Sequence, residues 1–200
     1  DVRDYSNVQH SVHTFYNHTF VGKHILTVGG DYMRDYLMSY QFANNGDVYK
    51  RQVDGFAQFD WNPTKYFNVI TGLRFDYYSD SDINHFSPKL GLMYKIGNCS
   101  LRGSYAGGFR APTLKEMYMN FDMASIFMIY GNPDLKPETS HNFSLSAEYM
   151  KGRYNLTVTG FYNIVDNRIT TAWSEALKGQ VYTNISNIKI SGAEANASAK

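Results

Sequence analysis

The chain breaks into stretches in which apolar residues alternate with polar or small ones, the period of a strand with two unlike faces. From Tyr66 to Tyr78 one face reads Phe67, Val69, Thr71, Leu73, Phe75 and Tyr77, against Asn68, Ile70, Gly72, Arg74 and Asp76. From Pro88 to Lys95, Pro88, Leu90, Leu92 and Tyr94 oppose Lys89, Gly91, Met93 and Lys95. Leu101, Gly103, Tyr105, Gly107 and Phe109 then oppose Ser100, Arg102, Ser104, Ala106 and Arg110. The same alternation runs through Gln52–Trp61, Asn142–Tyr149 and Tyr154–Asn163, and less regularly through Val8–Phe20, His24–Tyr36 and Tyr182–Lys200. The pattern predicts about nine antiparallel strands and an all-β fold.

Connection lengths alternate as well. Short turns fall near Val21–Lys23, Asn62–Lys65, Lys95–Asn98 and Met150–Arg153, each with Gly, Pro or Asn to make the bend. Long connections fall near Leu37–Arg51, Ser79–Ser87, Arg110–Ser140 and Val165–Gln180. A soluble sandwich has no reason to put every long loop at one end of its strands. An outer-membrane β-barrel does, with short periplasmic turns and long external loops. The strands also match the roughly 9–11 residues that cross a bilayer at a tilt, rather than the roughly 5–6 of a soluble sheet. Backbone groups facing lipid have to be paired strand to strand, so the sheet is expected to close. An odd strand count, with the last strand still running at Lys200, predicts a segment of a larger barrel. The start at Asp1, without Met or leader, fits either a removed signal peptide or a piece cut from a longer protein.

Composition agrees with dispersed rather than continuous hydrophobicity. The 17 Tyr and 13 Phe coexist with a mean hydropathy of −0.42, and apolar runs stay far short of a spanning helix. Aromatic residues at strand ends (Trp61, Phe67, Tyr77, Tyr149, Tyr154, Tyr162) suit the interfacial girdles of a membrane barrel. A net charge of +1 without runs of one sign argues against nucleic acid as a partner. The single Cys99 forms no internal disulfide.

Two boxes then carry a family resemblance. Gly108-Phe109-Arg110-Ala111-Pro112-Thr113-Leu114-Lys115-Glu116 resembles a box of TonB-dependent outer-membrane receptors. Gly131-Asn132-Pro133-Asp134-Leu135-Lys136-Pro137-Glu138-Thr139-Ser140 resembles the one that opens the following strand in that family. Supporting echoes include Phe56-Ala57-Gln58-Phe59-Asp60-Trp61, Phe86-Ser87-Pro88-Lys89-Leu90-Gly91-Leu92 and Gly192-Ala193-Glu194. The resemblance implies a plugged barrel of about 22 strands. It also implies active import of a scarce large nutrient (an iron siderophore, haem or a corrinoid) across the outer membrane, driven by the TonB complex. Residues 1–200 read as partial barrel domain, with the plug and its TonB-contacting segment lacking a counterpart in the sequence. The expected partners are the lipid bilayer, a small-molecule chelate ligand and, through the plug, TonB.

The box residues also have a local reading. Arg110 ends a strand on the polar face and is expected at the lumen's outer rim. Pro112 ends strand pairing because it lacks an N–H. Asn132-Pro133-Asp134 is turn chemistry, and Pro137 restricts the residue before the next strand. Phe109, Leu135 and Glu138 complete the two stems of one long loop.

Between the boxes lies a segment holding four of the eight Met residues, with two Tyr and two Phe. Tyr118, Met119, Met123, Met128 and Tyr130 are its ligand-contact candidates. Met and aromatic side chains adapt to large apolar ligands, and Met or Tyr can ligate haem iron. Haem receptors of the family commonly place a His between such boxes. No His lies between Pro112 and Asn132, and His141 follows only afterwards. The plainer reading is a loop packed on itself.

His10 and His13 fall on opposite strand faces, and His10 and His18 lie far apart along one face, so neither pair chelates one ion. No CxxC, HExxH, GxSxG or P-loop pattern occurs. No cofactor and no enzymatic activity are expected. Lumen charges such as Arg74, Asp76, Arg102 and Glu148 read as hydrated wall groups. The competing function is a passive porin or diffusion channel, which would lack both boxes and the plug.

Overall fold

In the computed structural model, residues 5–39, 47–79, 83–123 and 126–199 are described. Nine strands form one antiparallel sheet: β1 (Tyr5–Phe20), β2 (His24–Ser39), β3 (Asp47–Thr64), β4 (Phe67–Tyr78), β5 (Ile83–Ile96), β6 (Cys99–Arg110), β9 (Glu138–Lys151), β10 (Tyr154–Asp166) and β13 (Ile188–Ala199). Within that sheet each strand pairs with the next in chain order, as consecutive hairpins require. Eight of the nine stretches that the periodicity predicts are each one strand of this sheet. The expected loops over 37–51, 79–87 and 110–140 include residues 40–46, 80–82, and Ala124 and Ser125, which lie outside the described set, as do 1–4 and Lys200.

Alternation fixes which face each side chain takes. On β4, Thr71, Leu73, Phe75 and Tyr77 are exposed, whereas Arg74 is half-buried and Asp76 and Tyr78 are buried. On β9, Phe143, Leu145, Ala147 and Tyr149 are exposed while Asn142, Ser144, Ser146 and Glu148 are half-buried. The exposed face is therefore the apolar one. Leu145 is 68% exposed and Val12 61%. A soluble sheet would bury such residues against a second layer, so this face needs lipid to cover it. Among the described residues no helix is long and apolar enough to cross a membrane.

The opposite, polar face carries a lateral row in register: His13, Asp31, Asp54, Asp76 and His85 on five successive strands. Arg74 binds this row through Asp54 (2.8 Å) and Asp76 (3.0 Å), and His13 Nδ1 lies 2.8 Å from Asp31. Arg102 and Glu148 pair at 3.4 Å lower on the same face. These are the wall charges expected of a polar barrel lumen.

Two expectations change at the long-loop end. The stretch Tyr182–Lys200 is not one strand. It breaks at Ser186 and Asn187, and β12 (Gly179–Ile185) leaves the main sheet. Asparagine side chains end the ladder there: Asn184 Nδ2 donates to the Lys136 and Asn167 carbonyls, and Asn187 Nδ2 donates to Asp166. The described residues of the connections over 110–140 and 165–180 include regular elements. They hold a short helix, α1 (Leu114–Tyr118), and the strands β7 (Phe121–Met123), β8 (Phe127–Tyr130) and β11 (Arg168–Ser174). With β12 these form a second sheet in the order β11-β12-β8-β7.

Candidate functional site

The buried apolar residues Leu37, Tyr78, Ala111, Leu114, Met117, Met119, Leu135 and Ile169 gather at the end of the strands that carries this loop sheet. The site is therefore built on a small core of its own, resting on the mouth of the strand wall.

Its foundation is the first box. Pro112 is fully buried, and its carbonyl accepts a 2.8 Å hydrogen bond from Lys50 Nζ, which also lies 4.8 Å from the Tyr78 ring. Thr113 caps α1: its side chain accepts from the Glu116 N–H while Glu116 accepts from the Thr113 N–H. This Thr-x-x-Glu capping box is a local helix-start signal that strand periodicity conceals. The helix then buries Leu114 and Met117 into two clusters. Leu114 and Met119 pack on Leu37 of β2; Met117 packs on Leu135 and Ile169.

Arg110 is the clasp. Its Nε and Nη2 donate to the two oxygens of Glu138 at 2.9 and 2.8 Å, and Nη1 donates to Glu116 at about the same range, 3.0 Å. Planar guanidinium geometry makes the first of these a bidentate, charge-assisted pair. Glu138 Oε1 also accepts from the Ile169 N–H at 2.7 Å. One carboxylate thus holds the β6 end, the β9 start and β11 together.

The second box ties the other stem. Asn132 Nδ2 donates to the Tyr182 carbonyl (2.9 Å), its N–H donates to the Glu116 carbonyl, and its Oδ1 accepts from Asp134 N–H. Lys136 N–H donates to Asn184 Oδ1 at 2.7 Å. Burial and the nearby Glu116 carboxylate raise the Tyr182 phenol above its ordinary range, so it stays neutral. A short parallel pairing, Gln180 with Ile129 and Val181 with Tyr130, joins the two loops into one sheet. Gly179 permits it: a Cβ there would sit 2.6 Å from the Met128 carbonyl oxygen.

The ligand-contact candidates divide under this geometry. Met119 is 2% exposed and Tyr118 packs against both clusters, so Met119 is a core residue rather than a surface one. Met128 and Tyr130 are half-buried in β8, and Met123 is exposed. Ile126, Trp173 and Leu177 are exposed beside them, with the Trp173 ring edge-on to Phe127. Trp173 and Leu177 come from the other long loop, and only the sheet pairing brings them here. Phe109, placed by alternation on the apolar face, instead stacks on His85 (4.5 Å) and lies beside the buried Tyr78. The β5–β6 ladder ends at Lys89–Ala106, and Pro88 offers no N–H to extend it, so strict alternation lapses above that level.

Among the described residues no three His, Cys, Asp or Glu side chains cluster to hold a metal ion. What the arrangement can do is present a partly apolar loop surface at the long-loop end of the strand wall.

A strand wall with one apolar and one polar face, and its long connections at one end, is that of an outer-membrane β-barrel. Residues 1–200 match the TonB dependent receptor-like, beta-barrel family, and the chain belongs to it. It is similar to the iron-regulated outer membrane virulence protein of Vibrio cholerae, 31% identical over 75% of this chain and 24% of that protein. It is also similar to hemoglobin and hemoglobin-haptoglobin-binding protein C of Haemophilus influenzae, 38% identical over 44% of this chain and 8% of that one. The siderophore receptor PirA from Pseudomonas aeruginosa shares the fold, with a TM-score of 0.88 at 18% identity over 98% of this chain and 40% of that one. The chain thus spans about a quarter of the V. cholerae relative's length. It is an outer-membrane protein of the receptor class.

Proposed function

We propose that this chain forms part of the wall and external mouth of a TonB-energised importer for an iron-bearing nutrient, a ferric siderophore or haem. The observation that supports the reading is the fusion of two long loops into one sheet, which leaves Met123, Trp173 and Leu177 exposed at the long-loop end of the strand wall. A large chelate with aromatic or apolar flanks gains from such a surface, while a pore for small hydrophilic solutes has no use for it. Relatives named for iron regulation, hemoglobin binding and siderophore reception support the iron-bearing class. In this reading the whole protein supplies a plug that contacts TonB, and iron is cargo rather than a resident cofactor.

The test is equilibrium binding to the intact protein, followed by tryptophan fluorescence, with a ferric catecholate siderophore, haem and a corrinoid as separate probes. Saturable binding of one iron probe, weakened about tenfold by Trp173→Ala, is the expected result. A passive diffusion channel would show no saturable binding of any probe, and that outcome would replace the importer reading.

A further inference from the structure

The lipid-facing side of β1–β3 carries one feature that nutrient reception does not use. His10 on β1 is the register partner of Arg34 on β2, and Arg34 is the register partner of Arg51 on β3. All three are exposed. Their outward direction is set by their neighbours two residues along: Val12, Tyr32 and Val53, themselves in register and exposed on the apolar face. The Arg34 guanidinium lies 5.3 Å from the ring of Tyr49, another exposed residue of that face.

Two arginines directly opposite each other on adjacent strands repel, their Cβ atoms about 5 Å apart. Among the described residues neither has a carboxylate within ion-pairing distance. Asp47, on the same face, lies four residues along β3 from Arg51. Among the described residues nothing compensates this repulsion, and it sits where a second kind of molecule is always present.

Position identifies that molecule. Trp61, near the short-turn end of β3, marks one border of the apolar face. Arg51 is about ten residues away, which at roughly 3.3 Å per residue and a tilt near 45° lifts it about 23 Å, the far border of an apolar band roughly 25 Å tall. Toward the bilayer the row adjoins Val12, Tyr32, Val53 and Tyr77, which suit acyl chains; the row itself presents His10 and two guanidinium groups. We infer that His10, Arg34 and Arg51 form a docking surface for the phosphate of a membrane lipid headgroup in the outer leaflet. The phosphate lies between the two guanidinium groups and relieves their repulsion, with charge-assisted hydrogen bonds from both. The adjoining apolar strip selects a lipid-borne phosphate over a free one.

The intact receptor in an uncharged maltoside detergent is titrated with dioleoyl phosphatidic acid or dioleoyl phosphatidylcholine, and bound lipid is counted by native mass spectrometry. Phosphatidic acid is expected to bind about tenfold more tightly, the scale of one or two charge-assisted contacts, and inorganic phosphate is expected not to displace it. In Arg34→Gln/Arg51→Gln the preference is expected to vanish; in Arg51→Lys it persists in reduced form. Lys65→Gln/Arg153→Gln, at the short-turn rim, keeps the full preference. The mobility of unboiled protein on gels reports whether each variant is folded. The inference is overturned by a wild-type receptor without preference, by a folded double variant that retains it, by an equal loss in the opposite-rim variant, or by displacement with inorganic phosphate.

Discussion

Leu145→Arg is expected to destabilise the protein in lipid by about 2–4 kcal/mol, the range for a cation placed on a barrel's lipid face near the bilayer midplane. Leu145 is the middle of β9, and it is 68% exposed on the apolar face. In water such a substitution on an exposed residue would be nearly neutral or even favourable. The sign of the effect therefore reports the solvent. Thr157→Arg gives the contrast, because Thr157 lies on the polar face of the adjacent strand, in register with Glu148. It is expected to change stability by less than about 1 kcal/mol, since a lumen-facing cation keeps its water and gains a carboxylate neighbour. Urea titration of the receptor refolded into phosphatidylcholine vesicles measures both. Equal effects from the two substitutions would mean that the apolar face is not in lipid.

The second large effect is expected from Arg110→Ala, and it is local. Removing the guanidinium leaves Glu116 and Glu138, each about one-fifth exposed, facing each other without a cation. Breaking a fully buried pair costs about 3–5 kcal/mol; Arg110 is 41% exposed, so solvent screening reduces the expected cost to about 1–3 kcal/mol. Arg110→Lys is not expected to restore the site, because an ammonium cannot hold one carboxylate in bidentate fashion and reach the second. The Ile169 N–H bond to Glu138 should loosen with it, so the damage passes from β6 to β11. Hydrogen exchange gives the readout: amides of 168–185 exchange faster in the variant, while those of 142–149 stay protected. Uniform acceleration across both would show Arg110 supporting the wall rather than the loops.

The strand wall was legible in the sequence because its information is local. A two-sided strand writes its faces into every second residue, and a lipid-facing strand writes them in Leu, Phe and Tyr over a dozen positions or more. Eight of the nine stretches in sequence correspond each to one strand of the sheet, and the ninth divides between β12 and β13. The loop sheet was not legible for the converse reason. β7 has three residues and β8 four, too short for a period to register, and β8 is held by a parallel partner some fifty residues away. The Met-rich segment looked uniform, yet Met119 lies in a core and Met123 on the surface. That division depends on the capped turn at Thr113, which places Leu114 and Met117 inward. The boxes were legible as loop stems, but not the reach of Glu138 to β11 or of Asn132 to Tyr182, since both partners come from another loop.

The most direct test of the account is topological, and the protein carries its own internal marker. Cys99 is exposed at the short-turn end, and Leu177 is half exposed in the loop sheet. A maleimide too large to cross the outer membrane is applied to intact cells expressing the wild type or Leu177→Cys. The account predicts that the wild type stays unlabelled until the outer membrane is permeabilised, whereas Leu177→Cys is labelled at once. Labelling of Cys99 in intact cells, with Leu177→Cys protected, would contradict it.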